Sequence, residues 1–246
     1  MISDHYSYKY ASNVISNKIS APKYVKKQCK EFKKNADGKN KKYCIDEEKV
    51  ILIDSLLKLM VMPNGLRAGE SIYDCMSGFQ FFFIVAVLCT VHRNHTDKRR
   101  YQIAILEICR KNGKTILIAI IFILLMLLEP KFAKLFSVAP DGSLSREIKS
   151  AMEEIIKSSP ALNDGKKFLI RRDSIQCCIT DIKYVPLNYS NSRLDGKLPT
   201  VFLIDETGAL PNSYAIEAMK SGQLTILNKL GCIISTKYPK INNPFE

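Results

Sequence analysis

IAILEICRKNGKTILIAIIFILLMLL, residues 103–128, decides the fold. An apolar run, Ile103 to Ile108, leads into Arg110-Lys111-Asn112-Gly113-Lys114-Thr115, and a second apolar run follows from Ile116 to Leu128. The order predicts strand, loop, helix. A loop of this kind turns backbone N–H groups toward a phosphate, and the helix that opens behind it adds the positive end of its dipole. Gly113 lets the backbone approach, Lys114 reaches terminal phosphates, and the Thr115 hydroxyl is a magnesium ligand. The first glycine of the full GxxxxGK[ST] pattern is replaced by Ile108, so the reading rests on the flanking strand and helix as much as on the GKT itself.

Outward from that loop, short apolar runs alternate with helical patterns, the signature of a parallel sheet covered on both faces. Strands are expected near 102–108, 134–138, 201–205 and 231–235, with helices at about 114–128, 144–158 and 213–221. Phe168 to Ile170 and Ser174 to Tyr184 read as extra strands, the latter alternating Ile175, Cys177 and Ile179 against Gln176, Cys178 and Thr180. Val201-Phe202-Leu203-Ile204-Asp205-Glu206 is a buried strand that delivers two acids to the carboxyl edge of the sheet, where ligands bind in such folds. Asp205 suits magnesium, and Glu206 suits the water that attacks a terminal phosphate. Gly231-Cys232-Ile233-Ile234-Ser235-Thr236 is a further strand ending in small hydroxyls, placed to sense the terminal phosphate. The expected fold is α/β: a P-loop NTPase of the additional-strand class, with a mostly parallel central sheet flanked by helices and an N-terminal helical segment.

Residues 1–70 form that segment. Lys26 to Lys42, with Ala36-Asp37-Gly38 inside it, reads as helix, solvated turn, helix. Val50 to Met60 carries apolar residues at helical spacing, with Asp54 and Lys58 one turn apart on its polar face. Residues 71–246 are then the ATPase domain.

Composition limits the function classes. The 246 residues carry 37 Lys plus Arg against 24 Asp plus Glu, a net charge of +13, which favours a polyanionic partner. Eight scattered cysteines without a CxxC pair fit reduced thiols better than a disulfide scaffold. His92 and His95 have no neighbouring ligands to complete a zinc site and read as loop residues. The apolar runs Phe81 to Val91 and Ile116 to Leu128 fall short of the roughly 20 residues a spanning helix needs, so no membrane is implied. The two glycosylation sequons, at Asn94 and Asn188, read as accidental.

Together these residues resemble the large subunits of tailed-phage terminases. That family has an R-K-N-G-K-S/T loop without the first glycine, as in Arg110 to Thr115, and a basic pair with an aromatic before the loop strand, matched by Arg99, Arg100 and Tyr101. An aromatic-Gln pair that contacts adenine is matched by Phe79-Gln80, although a glycine usual before the loop is Cys89 here. Leu194-Asp195-Gly196-Lys197-Leu198-Pro199 and Glu217-Ala218-Met219-Lys220-Ser221-Gly222 are also similar, and Ser235-Thr236 falls at the family's coupling motif.

The resemblance implies ATP as substrate with Mg2+, Glu206 and Arg110 as catalytic residues, and Arg110, Lys111, Asn112, Gly113, Lys114, Thr115 and Gln80 at the nucleotide. Thr115 and Asp205 would hold the metal, and Ser235 and Thr236 would couple. An arginine from a neighbouring subunit could come from Arg146, Arg171, Arg172 or Arg193. Double-stranded DNA, a portal protein, a small terminase subunit and a ring of copies on the capsid are the implied partners, in host cytoplasm and transiently at the portal vertex. Complete members continue into a nuclease domain that does not follow within this sequence, so nuclease activity is not expected of it and it is expected to be a fragment or one part of a split protein. Two other readings stay open: a helicase-like or recombinase-like P-loop ATPase, and a basic DNA-binding or peripheral membrane module with an accidental GKT.

Overall fold

The computed structural model describes residues 1–189, 194–239 and 242–245. They form two compact units that interleave along the chain. The first contains Met1–Lys58 and Glu70–Tyr101, and the second Leu59–Gly69 and Gln102–Glu246. The expected division was residues 1–70 and 71–246; in the two units Glu70–Tyr101 goes with the N-terminal segment and Leu59–Gly69 with the second unit. The physical reason is an aromatic cluster. Phe81 packs edge-on to His5 at 5.4 Å and stacks on Tyr6 at 5.1 Å, while Phe82 meets Tyr10 and Phe32, so the segment after Glu70 belongs with the N-terminal helices.

In the first unit, α1 (Tyr6–Ile15), α2 (Lys23–Ala36), α3 (Glu47–Leu59), the short α4 (Ile72–Cys75) and α5 (Gly78–Cys89) accompany a small antiparallel sheet. Its strands are β1 (Tyr43–Ile45), β2 (Thr90–His92) and β3 (His95–Arg99). The expected helix, turn, helix is modified here: α2 ends, Gly38 turns with φ +71°, and β1 intervenes before α3. Val50, Ile53 and Leu57 face inward from α3, as their spacing requires. Asp54 and Lys58 do not pair with each other: Asp54 meets His5 Nε2 at 3.1 Å, and the Lys58 ammonium lies 4.7 Å from the Tyr73 ring centre. His92 and His95 are strand residues on either side of a tight hairpin turn, not loop residues.

The second unit is built on a seven-stranded sheet. Its strands are β4 (Ile103–Glu107), β5 (Lys134–Ala139), β6 (Phe168–Arg171), β7 (Ser174–Cys177), β8 (Ile182–Asn188), β9 (Val201–Ile204) and β10 (Leu230–Ser235). They lie in the order β4-β10-β9-β5-β8-β7-β6. From β4 to β8 every pairing is parallel, and β8, β7 and β6 form an antiparallel extension. This is a largely parallel P-loop NTPase-like sheet, with β10 inserted between the loop strand β4 and the acidic strand β9. Val201 to Ile204 are all buried because β9 is paired on both sides and covered on both faces.

The helices α6 (Lys114–Leu128), α7 (Gly142–Ser158) and α8 (Tyr214–Ser221) complete it. Leu117 to Met126 are all buried in α6, so this helix is apolar all round, which explains a run without helical alternation. The apolar run in α5 is likewise a buried helix, and no described helix is long and apolar enough to cross a membrane. One expected element is corrected. Ser174 to Tyr184 is two strands rather than one, broken by a turn in which Asp181 adopts φ +54°; Ile179, expected to face inward, is exposed.

Close approach explains two glycines. A Cβ on Gly231 would stand 2.4 Å from the Phe202 ring, and one on Gly222 would stand 2.2 Å from the Lys197 carbonyl oxygen. The second contact ties the end of α8 to the segment that leads into β9.

Candidate nucleotide site

The loop after β4 turns twice through the left-handed region, at Lys111 (φ +65°) and Gly113 (φ +72°). Gly113 is the N-cap of α6 and offers no side chain, so no side chain caps the first-turn N–H groups of that helix. A helix start of this kind favours an anion. The Asn112 amide holds the loop shape by donating to the carbonyls of Cys109 (3.1 Å) and Arg110 (3.2 Å). Arg110, Lys111 and Asn112 are exposed, and Thr115 is half-buried as the second residue of α6.

Lys114 turns toward the end of β9. Its ammonium lies 2.9 Å from Asp205 Oδ1 and donates to Glu206 Oε1. Asp205 is buried, and its Oδ1 also accepts from the Glu206 N–H at 2.8 Å. Glu206 stands at φ +48°, ψ +45°, a left-handed conformation that costs a non-glycine residue roughly 1–2 kcal/mol. That twist ends the strand and lets two successive carboxylates reach one cation, which an extended backbone would point to opposite faces.

The electrostatics follow from this arrangement. Burial raises the Asp205 pKa, and Lys114 pulls only partly against it. Burial also opposes the charge of Glu206, but hydrogen bonds from Lys114 and Thr236 overcome it and leave the pKa lowered. At Lys114 desolvation is again outweighed, this time by Glu206 and Asp205, and the pKa is raised. The cluster thus carries one ammonium against two acids whose pKa values are pushed apart.

β10 closes the site. Thr236 Oγ1 donates to Glu206 Oε2 at 3.3 Å, while Ser235 Oγ accepts from the Gly208 N–H at 3.1 Å and donates to the Thr236 carbonyl at 2.8 Å. Ser235 and Thr236 are therefore both tied to the segment that carries Glu206. Tyr238, which sequence reading missed, interacts through its hydroxyl with the Arg110 guanidinium and the Glu206 carboxylate; burial and Glu206 raise its pKa. Its ring fits only because residue 208 is glycine, since a Cβ there would lie 2.5 Å from the ring. No local pattern marks either residue, as the contact spans thirty positions.

Lys114, Asp205, Glu206, Thr236, Arg110 and Tyr238 thus converge. Gln80 lies in the first unit, where it is the third residue of a capping box: its Oε1 accepts from the Ser77 N–H at 2.8 Å and the Ser77 hydroxyl at 3.1 Å. Arg146 is exposed on α7, Arg171 and Arg172 are exposed at the β6–β7 turn, and Arg193 lies outside the described residues.

Comparison with known proteins places the chain in a family. The model of the family described as "Terminase large subunit, ATPase domain" matches residues 79–243. The terminase large subunit of Enterobacteria phage HK97 is 28% identical over 196 residues, covering 73% of this chain and 35% of that protein. The crystal structure of the HK97 large terminase superposes with a TM-score of 0.65 at 23% identity, covering 81% of this chain and 40% of the other, and so shares its fold. The chain therefore spans little more than a third of the relatives it matches. A match over residues 79–243, which hold β4, α6, β9 and β10, makes this chain a member of the terminase large subunit ATPase domain family.

Proposed function

We propose that this domain hydrolyses ATP with Mg2+, and that the protein to which it belongs uses the hydrolysis to drive double-stranded DNA into a procapsid. The observation that carries the reading is the meeting of Lys114 with Asp205 and Glu206: the loop lysine and both acids share one spot at the carboxyl edge of the sheet. The N–H groups from Arg110 to Gly113 and the start of α6 would cradle the phosphates, with Lys114 leaving the carboxylates for the terminal phosphates.

Magnesium fits the residues present. Asp205 and Thr115 are hard oxygen donors, and the Asp205 carboxylate already faces a positive charge, the Lys114 ammonium. When bound, the ion would neutralise charge on the phosphate oxygens. Glu206, its pKa lowered, is ionised at neutral pH and would orient and deprotonate the attacking water. Arg110 would offset charge that develops on the transferred group. Ser235 and Thr236 would carry the loss of that group into the chain beyond β10. A contact of Gln80 with adenine would use its amide NH2, or require its oxygen to leave Ser77.

The portal protein, the small terminase subunit and a ring of copies on the capsid belong to the same proposal. So do the host cytoplasm and portal vertex as places of action, and DNA cutting by the full-length protein. Phosphate release by this chain, measured with and without magnesium and with two unrelated duplexes, tests the reading. Magnesium-dependent hydrolysis is expected. Neither hydrolysis nor ATP binding would leave the GKT accidental.

A further inference from the structure

The first unit carries a second concentration of positive charge. α2 has six lysines in fourteen residues and one acid, Glu31. Lys23, Lys27, Lys30 and Lys34 recur at i, i+4, i+7 and i+11, which places them on one face of the helix, and all four are exposed. The opposite face is Cys29, Phe32 and Asn35, all buried. Lys26 and Lys33 are turned aside: Lys26 donates to Asn17 Oδ1 at 2.8 Å, and Lys33 donates to the Ser12 hydroxyl at 3.2 Å over the Tyr8 ring. Glu31 is engaged by Arg100 at 3.1 Å. Among the described residues, no ion pair involves any of the four face lysines.

Such a row is unfavourable in the free protein. Like charges at i, i+4 repel by a few tenths of a kcal/mol per pair, and soluble surfaces ordinarily intersperse both signs. A partner that neutralises the row removes that penalty. The row spans about 16 Å of helix axis, a length over which a DNA duplex presents on the order of ten phosphate charges. A membrane surface fits less well, because an interfacial helix needs a free apolar face, and here that face is packed inward, with Phe32 meeting Phe82 at 5.3 Å.

We infer that Lys23, Lys27, Lys30 and Lys34 form a contact surface for the phosphate backbone of double-stranded DNA. This rests on the proposed function for the choice of duplex, and it adds where the duplex is gripped. The contact reads no bases, because lysine ammonium groups on phosphates carry no sequence information. Lys39, Lys41 and Lys42 are exposed just beyond the Gly38 turn and extend the charge.

The test compares the unaltered chain with a variant carrying all four Lys→Gln substitutions and with a Lys27→Gln, Lys30→Gln double. Glutamine has nearly the helix propensity of lysine, so the fold is retained. Fluorescence anisotropy with two unrelated duplexes at several salt concentrations gives the slope of log affinity against log salt. Each phosphate contact contributes about −0.9, so the quadruple variant is expected to flatten the slope by up to about 3.6 and the double by about half as much. ATP hydrolysis without DNA is expected to stay unchanged. Unaltered slopes in both variants, a preference for one duplex, or loss of binding to phosphatidylserine vesicles with duplex binding intact would overturn the inference. If the unaltered chain bound DNA with the expected slope change but failed to bind or hydrolyse ATP, the proposed function would fall and the surface would stand.

Discussion

Lysine is used in two opposite ways in this molecule. Lys114 is half-buried, held between Asp205 and Glu206, and its position depends on a glycine N-cap and a strained acidic residue. The four lysines on the outer face of α2 are exposed, and among the described residues none of them is held in an ion pair. One arrangement holds a single charge between two carboxylates; the other spreads charge along a helix face. The first suits a defined small ligand whose charge replaces that of the carboxylates, and the second suits a long polyanion that slides. Changes at the first should therefore act on chemistry by large factors, and changes at the second on affinity and its salt dependence.

The largest effect is expected at Glu206. Glu206→Gln keeps the shape and the contact with Thr236 but removes the proton acceptor, so phosphate release should fall at least about a hundredfold while ATP binding changes little. A variant that hydrolyses at the normal rate would remove Glu206 from the chemistry and leave the acidic end of β9 as a metal site only.

Gly208→Ala sharpens the comparison at one remove from the reacting groups. The added methyl would meet Tyr238 at 2.5 Å and Ser235 Oγ at 3.2 Å, so the ring must leave its place between Arg110 and Glu206. Turnover is expected to drop about tenfold with the KM for ATP nearly constant, the pattern of a lost transition-state contact. Tyr238→Phe, which keeps the ring and loses the hydroxyl, should give part of that drop. A change confined to thermal stability would make the ring contact structural.

The smallest effect concerns the segment leading into β9. The Tyr214 hydroxyl donates to Asp195 Oδ1 at 2.5 Å, and this bond, with Asp195's charge, pushes the Tyr214 pKa up to about 12. Because the folded pKa is raised above the ordinary tyrosine value of 10.0, the contribution is fully present below pH 10 and is lost as pH rises toward 12. Tyr214→Phe should shift a thermal melt at pH 7 only slightly, since the pair is exposed. A shift of the size seen for core substitutions would mean that the segment depends on this bond.

Much of the second unit was legible in the sequence because its signals are local. The apolar runs of β4, β9 and β10 end beside the residues that converge at the candidate site, and α6 follows its loop without a gap. The first unit was less legible. β3 is His95-Thr96-Asp97-Lys98-Arg99, exposed over its first four residues, so no apolar alternation marks it as a strand. β1 has three residues, too few for a period. The break inside 174–184 depends on Asp181 taking a left-handed turn, which alternating residues on either side conceal. At the site, loop and acids could be read from motif and spacing, whereas the Tyr238–Gly208 contact and the capping-box engagement of Gln80 arise only when distant segments or neighbouring backbone groups meet.

The central claim is that Lys114 exchanges its two carboxylate partners for the phosphates of a nucleotide. Calorimetric titration of the unaltered chain and of Lys114→Ala with a non-hydrolysable ATP analogue and magnesium measures this directly. Saturable one-site binding to the unaltered chain and only heats of dilution with Lys114→Ala are expected; equal affinity for both would contradict the account.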